Sequence, residues 1–236
     1  MDTGKDNPSR TSLWQLIASV IFLLVIQTPV FLLAGDWEWP EGWAFAAIFF
    51  WLSLGTLIYL YFRDPALLNE RFSSPIQKEQ RSFDKILLSL LIVDYIVWFV
   101  IMPLDARRYG WSPHFPIWAE ATGGVLFALS FIVTFGAFTA NTFAAPVVKL
   151  QKQRGQKVIS TGLYGFVRHP MYLGGALLVF GGSILLGSLY GLLPAAIMTV
   201  ILAVRSIGEE EMLKSNLDGY GEYMKKVRWR IVPFIF

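Results

Sequence analysis

The sequence predicts an all-α, polytopic integral membrane protein with about six membrane-crossing helices. Three observations predict it. The mean hydropathy is +0.51 and 55% of the 236 residues are hydrophobic, above the composition of soluble domains. Several stretches approach or exceed about eighteen nearly uncharged residues, the length a helix needs to cross a bilayer. The basic residues gather in particular loops, and with a net charge of only +3 that bias reports orientation in a membrane. Nucleic acid is therefore not an expected partner. Cysteine is absent, which excludes disulfides, thiolate metal sites and cysteine nucleophiles. With only His114 and His169 as histidines, no metal site is expected.

Residues 1–10 are polar and expected to fray. Residues 13–34 follow as a first span, which Pro29 should kink. A cleaved leader is the rival reading, because Lys5 and Arg10 precede the apolar run. The run is long for a leader and lacks a small-x-small cleavage site, so a span is expected. Asp36, Glu38 and Glu41 mark an acidic loop flanked by Trp37, Trp39 and Trp43, as in an interfacial aromatic belt. Residues 43–62 form a second span. The connection 63–85 carries Arg63, Arg71, Lys78, Arg81 and Lys85, and its segment DPALLNER (64–71) predicts a short surface helix.

Residues 86–104 form a third span containing Asp94, expected to be hydrogen-bonded inside the bundle. His114 falls in the loop 105–116 as an ordinary loop residue. Residues 117–139 form a fourth span, where Gly123, Gly124 and Gly136 permit close helix contact. The region 140–168 is polar and basic. Residues 171–187 and 189–204 read as two shorter spans joined by a turn near 187–191. Gly174, Gly175, Gly181 and Gly182 should let the arms of this hairpin pack closely. Residues 206–226 extend the last span, and 227–236 should lie at the membrane surface. The positive-inside rule then places both termini in the cytoplasm. Two units result: the spans of 1–139, and a core at 140–236.

Two stretches carry the chemistry. TGLYGFVRHPMY (161–172) reads as a polar turn, with Gly162 at positive φ, feeding a helix started by Pro170. The N–H groups at such a start attract a carboxylate, with His169 and Tyr172 beside it. RSIGEEE (205–211) places Arg205 and Glu209 on one helix face, at i and i+4. Each stretch alone is compatible with an ordinary helix start or a surface ion pair. The hairpin, however, returns the second stretch to the membrane side of the first. A pocket so built offers an anion site, a carboxylate for a cation, and an arginine for a second anion. S-adenosylmethionine fits it, having a carboxylate, an ammonium, a sulfonium and a flat base.

GLYGFVRHPMY, then RSIGEEEML, then YGEYMKKVRWRIVPFI resembles the isoprenylcysteine carboxyl methyltransferase family, itself related to phospholipid methyltransferases. The similarity covers about residues 141–236. DPALLNER with QRSFDK resembles bacterial members. The resemblance implies a multi-pass membrane methyltransferase that uses S-adenosylmethionine and has no Rossmann domain. It implies cofactor contacts from Gln156, Lys157, Val158 and Ile159, from Tyr164, and from His169, Pro170, Met171 and Tyr172. Glu209 matches the glutamate that holds the cofactor, and Arg205 the arginine that meets a substrate carboxylate. Lys149 falls where the family can have a glutamine touching the cofactor. The chain departs from the family in having Gly208 where a larger residue is common, and a shortened link between Glu211 and Tyr220.

The expected reaction is in-line methyl transfer to a lipophilic or prenylated acceptor that enters from the membrane lipid. Arg205 would orient a carboxylate, and His169 would serve beside it. An amine acceptor would need a base, for which Glu210 and His169 are the candidates. The competing readings are an NADPH-dependent sterol-type membrane reductase and a non-enzymatic scaffold or transporter.

Overall fold

The computed structural model describes residues 13–74, 76–77 and 80–236. The stretch 1–10, with Lys5 and Arg10, lies outside the described residues, as does Lys78. The first span divides into α1 (Leu13–Val25) and α2 (Thr28–Ala34). Pro29 occupies the first turn of α2, where its missing N–H costs nothing, and the chain breaks just before it. Then come α3 (Pro40–Arg63), α4 (Pro65–Phe72) and α5 (Ser82–Pro103), which runs on into a π-helical stretch, Leu104–Tyr109. The remainder is α6 (Ile117–Ala140), α7 (Pro170–Leu185), α8 (Leu192–Asn216) and α9 (Tyr220–Lys226). Five segments are long and apolar enough to cross a membrane: Leu13–Ala34, Pro40–Arg63, Ser82–Tyr109, Ile117–Ala140 and Leu192–Asn216. α7, with 16 residues, is the shorter apolar helix of the hairpin. The protein is all-helical and polytopic, as its hydropathy requires.

DPALLNER forms α4, with the Asp64 carboxylate capping it by accepting from the Leu67 N–H at 3.0 Å. The helix is not simply a surface element. Leu67 and Leu68 are buried with Leu57, Leu60, Phe138 and Ala144.

The glycines act differently from the hairpin expectation. A Cβ on Gly123 would stand 2.2 Å from the Leu185 nitrogen, and one on Gly181 would stand 2.4 Å from the Phe127 nitrogen. Gly174 likewise faces Thr134. These residues seat α7 against α6, backbone to backbone and antiparallel, rather than against its hairpin partner. Only Gly175 of the four looks to α8, at Leu202. In lipid, where apolar surface gives no drive to associate, such close backbone approach is what holds helices together.

α5 packs antiparallel on α8, with Asp84 opposite Arg205 and Met102 opposite Gly191. Inside, the Trp98 indole N–H donates to the Val179 carbonyl at 3.1 Å and to Ser183 Oγ at 2.9 Å. At one end of the bundle the buried Asp105 accepts from Ser112 N–H and Oγ–H (2.8 and 2.7 Å), Ser188 Oγ–H (2.6 Å) and Tyr190 N–H (3.2 Å). That carboxylate pins the α7–α8 turn. The opposite end, where α5 and α7 begin and α6 and α8 finish, holds the site. Asp94 does not show the expected hydrogen bond at its buried oxygen: among the described residues no partner reaches Oδ2.

Gly181→Ala should destabilise the fold by about 1–3 kcal/mol, because the new methyl meets backbone that cannot rotate away. Gly55→Ala, which meets nothing within 4 Å, should be neutral or mildly stabilising. Thermal unfolding of the two purified variants in detergent checks this.

Candidate functional site

At the site end a cleft encloses about 790 Å³ of atom-free space, its open mouth included. Its walls are the 141–159 loop, Tyr164, the start of α7, and the last turns of α8 with α9. Local sequence explains each wall. Gly162 adopts φ +59° and opens a 3₁₀ turn at Gly162–Gly165 that delivers Tyr164 inward. Pro170 occupies the first turn of α7 and stops the preceding loop at His169. α8 carries Arg205 and Glu209 on one face, four residues apart.

Of the residues anticipated from sequence, Lys149, Gln156, Lys157, Val158, Ile159, Tyr164, His169, Met171, Tyr172, Arg205 and Glu209 all line the cleft. The two distant motifs do meet. The Tyr172 hydroxyl donates to Glu209 Oε2 at 2.6 Å, and His169 Nδ1 lies 3.6 Å from the same oxygen. The His169 and Tyr172 rings stack at 5.1 Å, and the Arg205 guanidinium lies 5.7 Å from the Tyr172 ring centre. The Glu209 side chain keeps 26% of its surface exposed, so its carboxylate can still meet a ligand.

Four expectations need correction. Pro170 is fully buried under the helix start and is not part of the cleft lining. Glu210 is turned away from the cleft and buried. It accepts from Arg168 Nε (2.6 Å) and Nη2 (3.2 Å) and from Arg230 Nε (2.9 Å), and lies 3.2 Å from His169 Nε2. A carboxylate so surrounded is a structural anchor, not a base open to substrate. Arg205 is not a free fork. Its Nε donates to Asp84 Oδ1 at 2.6 Å and its Nη2 to the Pro146 carbonyl at 2.7 Å. The start of α7 offers fewer free donors than expected. Pro170 has no N–H, and the N–H groups of Tyr172 and Leu173 both donate to the His169 carbonyl, leaving Met171. Lys149 lines the cleft while its ammonium pairs with Glu70 at 2.7 Å and donates to Gln77 Oε1 at 2.8 Å.

Sequence reasoning missed Asp84, Arg168 and Arg230, and the lining residues Asn141, Tyr220 and Tyr223. Asp84 is wholly buried and accepts from Gln80 Nε2 (2.6 Å) and the Val148 N–H (3.0 Å) as well as from Arg205. It thereby ties α5, the 141–159 loop and α8 together. Its only local sign was the i, i+4 spacing of Gln80 and Asp84 in QRSFDK. Burial pushes the Tyr164 hydroxyl up to about 12. Tyr220 is raised further, by burial first and then by the charges of Glu209 and Glu210, and burial raises Tyr223 as well. All three phenols stay protonated donors at neutral pH.

Two outcomes follow. Asp84→Asn leaves Arg205 buried without its counter-charge and should cost roughly 3 kcal/mol of stability. Asp36→Asn, which breaks the far more exposed pair with Arg107, should cost much less. Denaturant titration distinguishes the two. The raised Tyr164 value means the folded state keeps a proton that the unfolded chain releases near pH 10. Its stabilisation is therefore complete below pH 10 and lost as pH rises through about 12, by roughly 2 kcal/mol. The alkaline fall in unfolding temperature should be smaller in Tyr164→Phe.

Comparison with known proteins bears on the same region. Residues 118–218 match the model of the phospholipid methyltransferase family. Over 107 residues the chain is 30% identical to a Delta(14)-sterol reductase of Mus musculus, covering 44% of this chain and 25% of the reductase. The chain thus spans about a quarter of that relative's length. The phospholipid methyltransferase match runs from the start of α6 to just beyond α8, so Glu209, His169, Tyr172 and Arg205 all lie inside the matched segment.

Proposed function

We propose that this integral membrane protein is an S-adenosylmethionine-dependent methyltransferase acting on a lipophilic acceptor, with its cleft on the cytoplasmic side. The observation that carries the reading is the Tyr172–Glu209–His169 cluster inside the cleft, within the segment that matches the methyltransferase family. The residues present suit the cofactor. The exposed edge of Glu209 suits an ammonium group. The remaining Met171 N–H suits a carboxylate. Val158, Ile159, Leu213 and Leu217 with Tyr164 suit a flat base. When bound, S-adenosylmethionine supplies an electrophilic methyl group on a positively charged sulfur.

The chain's own residues position and exclude water. Glu210 holds the His169 ring, and His169 in turn stacks on Tyr172, so the carboxylate of Glu209 meets a fixed hydroxyl. Arg205, whose charge is already met by Asp84, offers an acceptor carboxylate its Nη1 donor, which makes no hydrogen bond among the described residues. A carboxylate acceptor of the isoprenylcysteine type is attracted there and needs no base, since it is ionised at neutral pH. Holding the reactants in line is the main rate term. An amine-bearing phospholipid is the second acceptor reading, favoured by the family match. An NADPH-dependent sterol-type reductase is a more distant one, suggested by the similarity to the Mus musculus protein. Against it, Lys149, Arg168 and Arg205 are each committed to a carboxylate, which leaves Lys157 among the described lining cations for a 2′-phosphate.

Calorimetric titration with S-adenosylhomocysteine should show binding that weakens at least about tenfold in Glu209→Ala and His169→Ala. Equal affinity in all three proteins would reject the site. Thermal protection by NADPH alone would favour the reductase. Labelled-methyl transfer to prenylcysteine analogues, phosphatidylethanolamine and short isoprenoid acids then identifies the acceptor class.

A further inference from the structure

Among the described residues, none of 227–236 lines the cleft; the segment reaches it through the residues it holds. Val167 and Trp229 form a parallel bridge. The Arg168 N–H donates to the Trp229 carbonyl at 2.9 Å, and the His169 N–H to the Arg230 carbonyl at 2.7 Å. Arg168 Nη1 donates back to the Val227 and Arg228 carbonyls at 2.6 and 2.7 Å. The segment is therefore stitched to the two residues that immediately precede α7. That is the end of the apolar helix α7 at which the chain leaves the polar 141–169 loop.

At this end the segment shows apolar surface. Phe234 is 84% exposed, Ile235 79%, and Phe166, beside the bridge, 72%. The Trp229 ring lies 5.4 Å from that of Phe234. Lys225, Lys226 and Arg228 are exposed next to them in the chain. Glu222 pairs with Lys225 and also feels the charge of Lys226, so the three cations outnumber it. Large apolar side chains bordered by cations, set where a bilayer meets water, have the chemistry of an anchor for negatively charged headgroups.

We propose that residues 225–236 together with Phe166 dock on an anionic phospholipid surface, and that this docking holds Arg168 and His169 in the register the cleft needs. Phe166, Phe234 and Ile235 enter the leaflet. Lys225, Lys226 and Arg228 meet its headgroups. The second half of the proposal rests on the methyltransferase reading; the first half does not.

The native chain has no cysteine, so Phe234→Cys accepts a single polarity-sensitive fluorophore. The 236-residue protein is placed in bilayer discs of phosphatidylcholine, alone or mixed with phosphatidylglycerol. Quenching by lipid-borne quenchers and affinity for S-adenosylhomocysteine are both read. Quenching should rise with phosphatidylglycerol, and the triple variant Lys225→Gln, Lys226→Gln, Arg228→Gln should lose the rise. Each basic residue near such a surface is worth roughly fivefold in partitioning. S-adenosylhomocysteine should bind several-fold tighter in the anionic discs. Quenching that ignores lipid charge, or survives in the triple variant, overturns the docking. Lipid-dependent quenching with charge-independent S-adenosylhomocysteine affinity overturns the coupling to the cleft. Lipid-dependent quenching with no S-adenosylhomocysteine binding in any disc supports the docking and rejects the cofactor reading.

Discussion

The pairing of Asp84 with Arg205 is the interaction on which the site end depends. Neither side chain could sit at that depth alone, because an unpaired ion in a low-dielectric environment is far too costly. Together, with Gln80, the Val148 N–H and the Pro146 carbonyl completing their hydrogen bonds, they join two antiparallel helices and the loop between α6 and α7. Glu210 repeats the device one turn further along α8, gathering Arg168, His169 and Arg230. The cleft is thus framed by two saturated carboxylates. The third, Glu209, is left partly open between them.

Much of this was readable in the sequence. Hydropathy sets the spans, and the first-turn prolines of α2, α3, α4 and α7 mark where helices begin. The juxtaposition of RHPMY with RSIGEE followed from the hairpin alone. What could not be read is rotation and long-range pairing. Glu209 and Glu210 are neighbours of one residue type. A helix turns about 100° per residue, so one faces the cleft and the other faces Arg168. Only packing decides which. Arg205 finds its partner 121 residues away, and no local pattern announces a pair at that distance. The glycines of α7 had the right role and the wrong partner, because periodicity reveals a smooth face without saying what lies on it.

The arrangement also shows how a helical membrane protein can build a polar cleft without strands to frame one. The irregular backbone of 141–169 lines the cleft, and the Arg154, Gln151 and Arg71 side chains donate to its carbonyls. A short pairing with residues 229–230 satisfies the two N–H groups just ahead of α7. Loop, helix start and closing segment are thereby one hydrogen-bonded unit.

The glycine seam between α6 and α7 has a consequence for movement. Two helices whose backbones touch cannot part without losing every contact across the seam, so that side of the bundle is a fixed wall. α1, by contrast, has no buried residue and leans on α3 over an apolar groove lined by Phe22, Leu23, Leu57 and Phe72. A helix with no buried side chain has few contacts to lose, so among the described elements α1 can shift while the α6–α7 seam stays fixed.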